Sequence, residues 1–286
     1  MQDSTMRATK WLPGAALLML ASLQLQAADG SYEINQACVA VGCFSGDAPG
    51  FPVSISAPGK YTLSSDVTVS SGTTTNAIEI QVSRVDLDLN GHMINGGGSC
   101  TGTPVSSCSG FQGGRAVQIS GSGVFVVHVH NGTIRGFGDA ALIGFGVDSG
   151  TQFDHLVVTE NLFGALLVGD SDKSAIRIDQ CSFTRNGATA LGIANNVYAD
   201  LRITNSVFAG NRFNAVDGGD GSTFTDNVFS DNGGFGIICY PTASSICALG
   251  RNAFQGNNGG GAAAQWSIHI VRDMVGNVCL DDGNCP

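Results

Sequence analysis

The chain has 286 residues and a formal net charge of -10; 43% of its residues are hydrophobic, 13% are charged and 41 are glycine. Disordered chains combine low hydrophobicity with high charge density, so this composition excludes general disorder. Thirteen basic against 23 acidic residues exclude a duplex nucleic-acid binder, which needs a basic face. The glycine content argues against a helical bundle, because each interior glycine costs about 1 kcal/mol relative to alanine.

The N-terminal segment has the pattern of an export signal. Arg7 and Lys10 precede the apolar run LPGAALLMLASLQL, and a cleavage site follows it at Ala27. We therefore expect residues 1–27 to be a signal peptide, with a membrane anchor as the less favoured alternative because the run is short for a bilayer span. The mature chain is then expected to be secreted, periplasmic or extracellular, and not inserted in a membrane.

Nine cysteines suit an oxidising compartment. Eight of them form close pairs around short loops, and we expect four local disulfides: Cys38–Cys43, Cys100–Cys108, Cys239–Cys247 and Cys279–Cys285. Metal ligation is the weaker alternative, because no CxxC motif occurs and no histidine lies near the pairs at zinc spacing. The ninth cysteine, Cys181, lies in the apolar segment IDQCSF and is expected to be a buried free thiol.

An internal repeat of about 25 residues runs through the chain. Apolar anchor residues recur at intervals of 24, 25, 25, 21 and 25 residues: Ile134, Val158, Phe183, Phe208, Phe229 and Phe254. The positions five residues before and eight residues after each anchor are apolar as well. Asparagine stands three residues after the last five anchors: Asn161, Asn186, Asn211, Asn232 and Asn257. An earlier copy has Ile94 as its anchor, and the longer interval to Ile134 indicates an inserted loop around Cys100 and Cys108.

The repeat predicts a parallel β-solenoid. Short segments such as IRID and SFTRNG alternate between apolar and polar residues, which is typical of strands with one buried face. Repeats of this length, with three short strands and with asparagine and glycine at the bends, are typical of solenoids. Successive coils lie about 4.8 Å apart, so equivalent residues stack. We expect about eight coils from Tyr61 onward, with an interior phenylalanine stack and an asparagine ladder.

The repeats resemble the right-handed parallel β-helix superfamily, the pectin-lyase-like fold, over about residues 60–275. The block INQACVAVGCFSGDAPGFPVSISAPGKYTLSSDVTV resembles the N-terminal segment of exported bacterial right-handed β-helix repeat proteins. The resemblance implies the handedness, which the spacing alone does not give. The expectation is an all-β, single-stranded right-handed parallel β-helix with capped ends. Residues 28–60 would form an N-terminal cap with a disulfide loop, residues 61–275 the helix, and residues 276–286 a disulfide-closed C-terminal cap.

The register places a polar patch on the outer face of one sheet. Six residues before each anchor stand Asp88, His128, Gln152, Arg177, Arg202 and Thr223. Four residues before each anchor stand Asn90, His130, Asp154, Asp179, Thr204 and Thr225. Both columns flank an inward apolar position, so their side chains are expected to point outward. The patch is the densest cluster of ionisable groups in a chain that has few of them.

The superfamily resemblance implies lyases, hydrolases and epimerases that act on acidic polysaccharides along such a face. Arg177 and Arg202 are then the expected contacts to uronate anions. His128 or His130 is the expected general acid or base, working with Arg177. Asp154 and Asp179 are the expected groups that bind and orient the substrate or hold calcium, and Asp88 is a further candidate for binding the substrate. The alternative is a solvated face on which neighbours such as Arg177 and Asp179 simply pair.

A second acidic strip lies in the segments GDSDKS and DGGDG. Its carboxylates, Asp170, Asp172, Asp217 and Asp220, are candidate calcium ligands, and calcium is the one cofactor the sequence suggests. Neither segment matches the EF-hand loop or the glycine-rich nonapeptide repeat, so polar turns that keep the rod soluble are the alternative.

The sequence supports two functional hypotheses. The first is a secreted β-helix that binds or processes an acidic extracellular polysaccharide. The second is a non-catalytic structural, adhesion or surface-display protein. The second gains weight because the NTD, DD, GHG and RIK signatures of polygalacturonase-like hydrolases do not occur along the repeats, nor do the pectate lyase RxPxxR segment and the epimerase Asp-Pro-His motif. Fold alone does not carry activity, so the sequence leaves open whether the protein is an enzyme.

Overall fold

A computed structural model describes residues 30–69, 75–111, 114–138, 142–147, 150–164, 166–169, 174–193, 199–219, 221–239, 247–259, 264–268 and 271–280. The predicted signal peptide, residues 1–27, lies outside this part of the chain. In the described residues the chain winds through three stacks of short parallel strands. The helices there are Gln36–Val39 and the 3-10 turn Asn257–Gly259, and neither has the length and hydropathy to cross a membrane.

Each stack holds the strands at one position of the turn, paired in parallel with the strands above and below. The first stack contains Tyr32–Ile34, Gly59–Leu63, Val85–Asp88, the first halves of Val127–Arg135 and Thr151–Thr159, Ser174–Asp179, Ala199–Thr204, Thr223–Thr225, Cys247–Gly250 and Val271–Asp273. The second stack contains Val67–Thr68, Met93–Asn95, the second halves of Val127–Arg135 and Thr151–Thr159, Ser182–Thr184, Val207–Ala209, Val228–Ser230, Ala253–Gln255 and Val278–Cys279. The third stack contains Val53–Ile55, Ile78–Ile80, Val117–Val124, Leu142–Val147, Leu166–Gly169, Leu191–Ile193, Val216–Gly218, Ile237–Cys239 and Trp266–Ile268.

The number of turns agrees with the sequence spacing. Eight successive pairings in the first stack join Gly59–Leu63 to Val271–Asp273, so the chain makes eight turns between these strands. The predicted all-β parallel helix of about eight coils is therefore confirmed. The strand Tyr32–Ile34 pairs with Gly59–Leu63 and adds a further level at the N-terminal end.

A stack of phenylalanine rings fills the interior behind the second stack of strands. The rings of Phe183, Phe208, Phe229 and Phe254 lie parallel, with successive centroids 4.9, 5.2 and 5.0 Å apart, and all four side chains are fully buried. Trp266 closes the stack with its ring edge toward Phe254 at 4.7 Å. The predicted aromatic stack is confirmed, and it shows that the anchors define the register of the coils.

The predicted asparagine ladder lies at the bend after the second stack. The side-chain oxygen of Asn211 accepts from both the backbone and the side-chain nitrogen of Asn186, each at 3.0 Å. Its side-chain nitrogen donates to Asn232 at 2.8 Å and to the carbonyl of the anchor Phe183 at 3.0 Å. The same pattern links Asn161, Asn186, Asn211, Asn232 and Asn257, and it ends at Gln265, which accepts from Asn257 at 3.1 Å. The ladder satisfies buried backbone groups at a bend that the sheet hydrogen bonds do not reach.

A second ladder lies at the bend between the first and second stacks, and sequence analysis did not identify it. Asn227 donates to Asn252 at 3.1 Å, and Asn252 donates to Asn277 at 3.0 Å. Ser206 and Cys181 occupy the same position in the preceding coils, where the Cys181 backbone donates to the Ser206 hydroxyl at 3.1 Å. Cys181 is buried and free, as predicted. The burial follows from its position in the coil, because the equivalent residues of the next three coils, Ser206, Asn227 and Asn252, are buried as well.

The bends use left-handed backbone conformations at residues other than glycine. One residue per coil at the bend between the first and second stacks has a φ of 51 to 60°: His155, Gln180, Asn205, Asp226 and Arg251. Such a conformation costs about 1 to 2 kcal/mol for a residue with a Cβ, so the hydrogen bonds of the second ladder must offset it. All five residues are polar and exposed and none is glycine, so the sequence shows no glycine column at this bend.

Three of the predicted disulfides are present: Cys38–Cys43, Cys100–Cys108 and Cys239–Cys247. The fourth predicted pair includes Cys285, which lies outside the described residues. The inserted loop predicted around Cys100 and Cys108 is present, and the structure shows that it is an antiparallel hairpin, Ser99–Gly102 with Val105–Ser109. The hairpin lies along the rod, where Val105 donates to the carbonyl of Gly210 at 2.9 Å and Arg185 donates to the carbonyl of Cys100.

Candidate functional site

Polar side chains form two outward columns on the first stack of strands. Strand residues alternate between the two faces, so residues on either side of the buried Val129, Phe153 and Ile178 point outward. The first column contains Lys60, Asp86, His128, Gln152, Arg177 and Arg202. The second column contains Thr62, Asp88, His130, Asp154, Asp179 and Thr204. The sheet thus brings all the predicted catalytic and substrate-binding residues to one face, over five neighbouring strands.

The lower part of this face is a histidine–aspartate cluster, formed by Asp86, Asp88, His128, His130 and Asp154. The rings of His128 and His130 stack with centroids 4.1 Å apart and planes inclined by 13°. One oxygen of Asp86 lies 3.1 Å from Nδ1 of His128 and 3.0 Å from Nε2 of His130. Nε2 of His128 contacts Asp154, and Nδ1 of His130 lies 3.9 Å from Asp88.

Asp154 is the most enclosed carboxylate of the cluster, with its side chain 14% exposed. It accepts hydrogen bonds from His128, from Nδ1 of His155 at 2.8 Å and from Gln152 at 3.2 Å. Partial burial acts to raise the pKa of Asp154, but the hydrogen bonds from His128 and His155 and the charges of the neighbouring histidines outweigh it, so the pKa is lowered. Asp154 is therefore an ionised acceptor that holds the histidines in place, rather than a proton donor.

The upper part of the face is an arginine groove, lined by Gln152, Arg177, Ile178, Asp179, Arg202 and Thr204. It is a shallow, open cavity of about 250 Å³. Arg177 and Arg202 occupy the same column on adjacent strands, and both are exposed. Asp179 accepts from Thr204 at 2.6 Å and from Asn205 at 2.9 Å, and it does not pair with Arg177. The simple Arg177–Asp179 pair considered from sequence is thus not formed.

The register of the strand Val85–Asp88 differs by two residues from the register that the sequence predicted. Counting back from Ile94 placed Asp88 opposite His128 and Asn90 opposite His130, whereas the structure pairs Asp86 with His128 and Asp88 with His130. The bend in this coil is two residues longer, because Asn90 and Gly91 both take positive φ, at 49 and 78°. Asp86 was missed for this reason, although the alternation of VDLDL already marked it as outward. His155 was missed because it lies in the bend, between the columns.

Of the second acidic strip, Asp217 is the one carboxylate that lies among the described residues. Asp170, Asp172 and Asp220 lie outside them, so their predicted role as calcium ligands stays untested. Asp217 accepts a hydrogen bond from Asn214 at 2.9 Å. Among the described residues, the geometry that can hold a metal ion is instead in the histidine–aspartate cluster. There, one ligand atom from each of Asp86, His128 and His130 lies within 4.8 Å of the others.

Comparisons with known proteins give one family and several distant structural neighbours. The family model described as right handed beta helix region matches residues 115–271, more than half of the chain. No curated protein matches the sequence. Solved structures with a similar backbone include full-length tailspike protein 2 from Escherichia coli O157:H7 bacteriophage CAB120, with 17% identity and a TM-score of 0.47. The enzymatically active domain of bacteriophage CBA120 tailspike protein 2 shares 16% identity, with a TM-score of 0.46.

A third neighbour is the A-module of the Azotobacter vinelandii mannuronan C-5 epimerase AlgE4, with 15% identity and a TM-score of 0.39. The alignments cover 73%, 86% and 84% of this chain, in the order given. They cover 29% and 39% of the two tailspike chains and 70% of the epimerase module. The chain therefore spans well under half the length of the tailspike structures that it resembles.

Proposed function

This chain belongs to the right handed beta helix family, and from that premise we propose that it binds an acidic extracellular polysaccharide along the arginine groove. The observation that carries the proposal is the pair Arg177 and Arg202, stacked on adjacent strands and exposed above an open groove. An open, shallow groove on a flat sheet suits a long polymer that lies across it, whereas small ligands favour enclosed pockets.

The two arginines favour a bound anion for electrostatic reasons. Arg177 and Arg202 stand on adjacent strands about 4.8 Å apart, so two positive charges are brought to one part of the face, and their field favours an anion there. Within the described residues, Arg177 has no ion pair or side-chain hydrogen bond that would neutralise it. A planar guanidinium can donate two parallel hydrogen bonds to a carboxylate. Uronate sugars carry one such carboxylate per residue.

The net charge of the chain indicates which interactions would carry the binding. A chain with a net charge of -10 repels a polyanion at long range, so non-specific attraction cannot explain binding of an acidic polysaccharide. Binding must then come from short-range contacts at the arginine groove. The extracellular setting is supported by the three disulfides, which form and persist in oxidising compartments. Export by residues 1–27 stays part of the proposal.

In the catalytic form of the proposal, Arg177 contacts a substrate carboxylate while His128 or His130 exchanges a proton with the sugar. Asp88, Asp154 and Asp179 then orient these groups or the substrate. Asp154 is suited to orientation, because it is ionised and bonded to His128. Abstraction of the proton next to a uronate carboxylate, followed by loss of the leaving sugar, gives an unsaturated product that absorbs at 235 nm.

The test is affinity electrophoresis and calorimetry with polygalacturonate, alginate and neutral dextran. We expect the wild-type protein to bind one of the acidic polymers and not dextran. The double variant R177A/R202A should bind at least tenfold more weakly, because hydrogen bonds to charged groups contribute about 1.5 to 3 kcal/mol each. R177K should lose part of the affinity, since lysine keeps the positive charge but lacks the paired, coplanar N–H donors of the guanidinium group.

The matched control is Arg212→Ala. Arg212 is exposed, lies outside the groove and packs over the ring of Phe213 at 5.6 Å, so its removal changes the net charge without touching the site. Equal weakening by R212A, or equal binding of dextran and the acidic polymers, would refute the proposed groove. Loss of the 235 nm product in H128A with binding unchanged would support the catalytic form. An absence of binding to any polymer favours the structural or adhesion hypothesis instead.

A further inference from the structure

We propose that Asp86, His128 and His130 bind one divalent first-row transition metal ion. The site lies beside the arginine groove but shares no lining residue with it. It does not depend on polysaccharide binding at the groove, because its donors, its ligand and its test are different; a metal ion on His128 and His130 would replace the acid–base role that the catalytic form gives them.

The distances among the donor atoms fit a common ion. Metal–nitrogen and metal–oxygen bonds of about 2.1 Å at angles of 90 to 110° place two donors roughly 3.0 to 3.4 Å apart. The Asp86 oxygen lies 3.1 Å from Nδ1 of His128 and 3.0 Å from Nε2 of His130. Two of the three edges of the donor triangle thus already have the length that coordination requires.

The second nitrogen of each histidine faces a separate carboxylate, and that of His128 is hydrogen-bonded to it. Nε2 of His128 contacts Asp154, and Nδ1 of His130 lies 3.9 Å from Asp88. Histidines that bind metals usually donate the other ring N–H to a carboxylate, which fixes the tautomer and the direction of the free nitrogen lone pair. Two histidines point opposite nitrogens, Nδ1 of one and Nε2 of the other, toward the same oxygen. On a solvated surface with unrelated ion pairs, we would not expect two histidines to share one carboxylate oxygen in this way.

The donor set selects the class of metal. Imidazole nitrogens suit zinc, copper, nickel and iron, whereas calcium and magnesium prefer sites built from oxygen atoms. Three protein donors leave coordination positions for water or for a ligand, and the side chains of Asp86, His128 and His130 are 39, 33 and 18% exposed. The parallel stacking of the two rings requires a rotation about their Cβ–Cγ bonds to aim both lone pairs at one ion. This torsion is soft in histidine.

The experiment is a titration of untagged, metal-free protein with Co²⁺, followed by visible absorption, with Zn²⁺ as the competitor. We expect one Co²⁺ per chain, with d–d bands of a nitrogen- and oxygen-ligated ion that Zn²⁺ removes and millimolar Ca²⁺ does not. H130A and H130Q should each weaken binding at least 100-fold; the glutamine variant keeps the side-chain volume in case the alanine variant folds poorly. D154N should weaken binding about 10- to 100-fold, as removal of a carboxylate behind a ligand typically does.

The matched control is His92→Ala. The side chain of His92 is as exposed as that of His128, at 33%, and it faces a single carboxylate, Asp66, at 3.4 Å. H92A should bind Co²⁺ as the wild type does. Absence of stoichiometric Co²⁺ binding by the wild type, or H130Q and H92A giving the same affinity, would overturn the proposal. Polysaccharide binding measured with and without EDTA reports on the arginine groove independently, so the two proposals can fail separately.

Discussion

Phe208 offers the most direct test of the stacked architecture, because it lies in the middle of the phenylalanine stack. Its side chain is fully buried, and its ring lies 4.9 Å from that of Phe183 and 5.2 Å from that of Phe229. An aromatic side chain buries about 150 to 250 Å², which at roughly 25 cal/mol per Å² corresponds to about 4 to 6 kcal/mol. Alanine retains part of this burial. We therefore expect Phe208→Ala to lower the free energy of unfolding by about 4 kcal/mol, within the usual range for such deletions.

The assay is denaturation in guanidinium chloride, followed both by circular dichroism and by the fluorescence of Trp266, which packs on the end of the stack. The two transitions should coincide if the coils unfold together, and only then is one free energy defined. The control is Phe213→Ala, five residues away, whose side chain is 53% exposed. We expect this control to cost less than about 1 kcal/mol. A loss below about 1.5 kcal/mol for F208A, or equal losses for both variants, would refute the stack as a source of stability.

Three further predictions concern individual buried or ionised groups. Asn211→Leu should cost about 3 kcal/mol or more in the same assay, because it leaves the buried N–H of Asn186 without its acceptor; a cost under 1 kcal/mol would mean that water replaces the ladder. Burial raises the pKa of Cys181 to about 12, so iodoacetamide at pH 8 should modify it only after unfolding with the disulfides intact, and rapid labelling of the native protein would contradict this. The lowered pKa of Asp154 means that its ionised form stabilises the fold above the unfolded-state value of about 3.9, and that this contribution is lost as the pH falls through the lower folded-state value. Asp154→Asn should therefore flatten the decline of the unfolding free energy as the pH falls below about 4, and superimposable profiles would count against it.

The sequence predicted the architecture well because a solenoid is nearly one-dimensional. Each coil contacts mainly its two neighbours. Residues that are one repeat apart in the sequence therefore contact each other in adjacent coils. The phenylalanine anchors and the first asparagine ladder followed directly from the 21- to 25-residue intervals, and both are present. The inserted, disulfide-linked loop also followed, since an insertion at a bend leaves the stacked strands unchanged; that the loop is a hairpin was not predicted.

The candidate site could be predicted only in part. The column of His128, Arg177 and Arg202 was found, because these residues share one coil spacing. Asp86 was not found, because the bend before Ile94 is two residues longer, with Asn90 and Gly91, two residue types that tolerate positive φ, at its turn. The pattern of polar and apolar residues does not reveal this. The contacts within the cluster could not be predicted either, since they depend on side-chain rotations rather than on register. The second ladder was hidden because Cys181 and Ser206 replace asparagine in its first coils.

The asparagine ladder has a polarity that the sheets around it do not impose. From Asn161 through to Asn257, each side-chain amide donates one N–H to the amide oxygen of the next coil toward the C-terminal end, so these bonds run in one direction and strengthen one another. From Asn186 onward, the second N–H donates to the carbonyl of an anchor in the preceding coil. At the C-terminal end of the ladder Gln265 takes the place of an asparagine: its oxygen accepts from Asn257, and its nitrogen donates to the carbonyl of the same residue at 3.2 Å. A coil inserted within the ladder would therefore need an asparagine at this bend, because the amides above and below it would otherwise lose an acceptor or a donor.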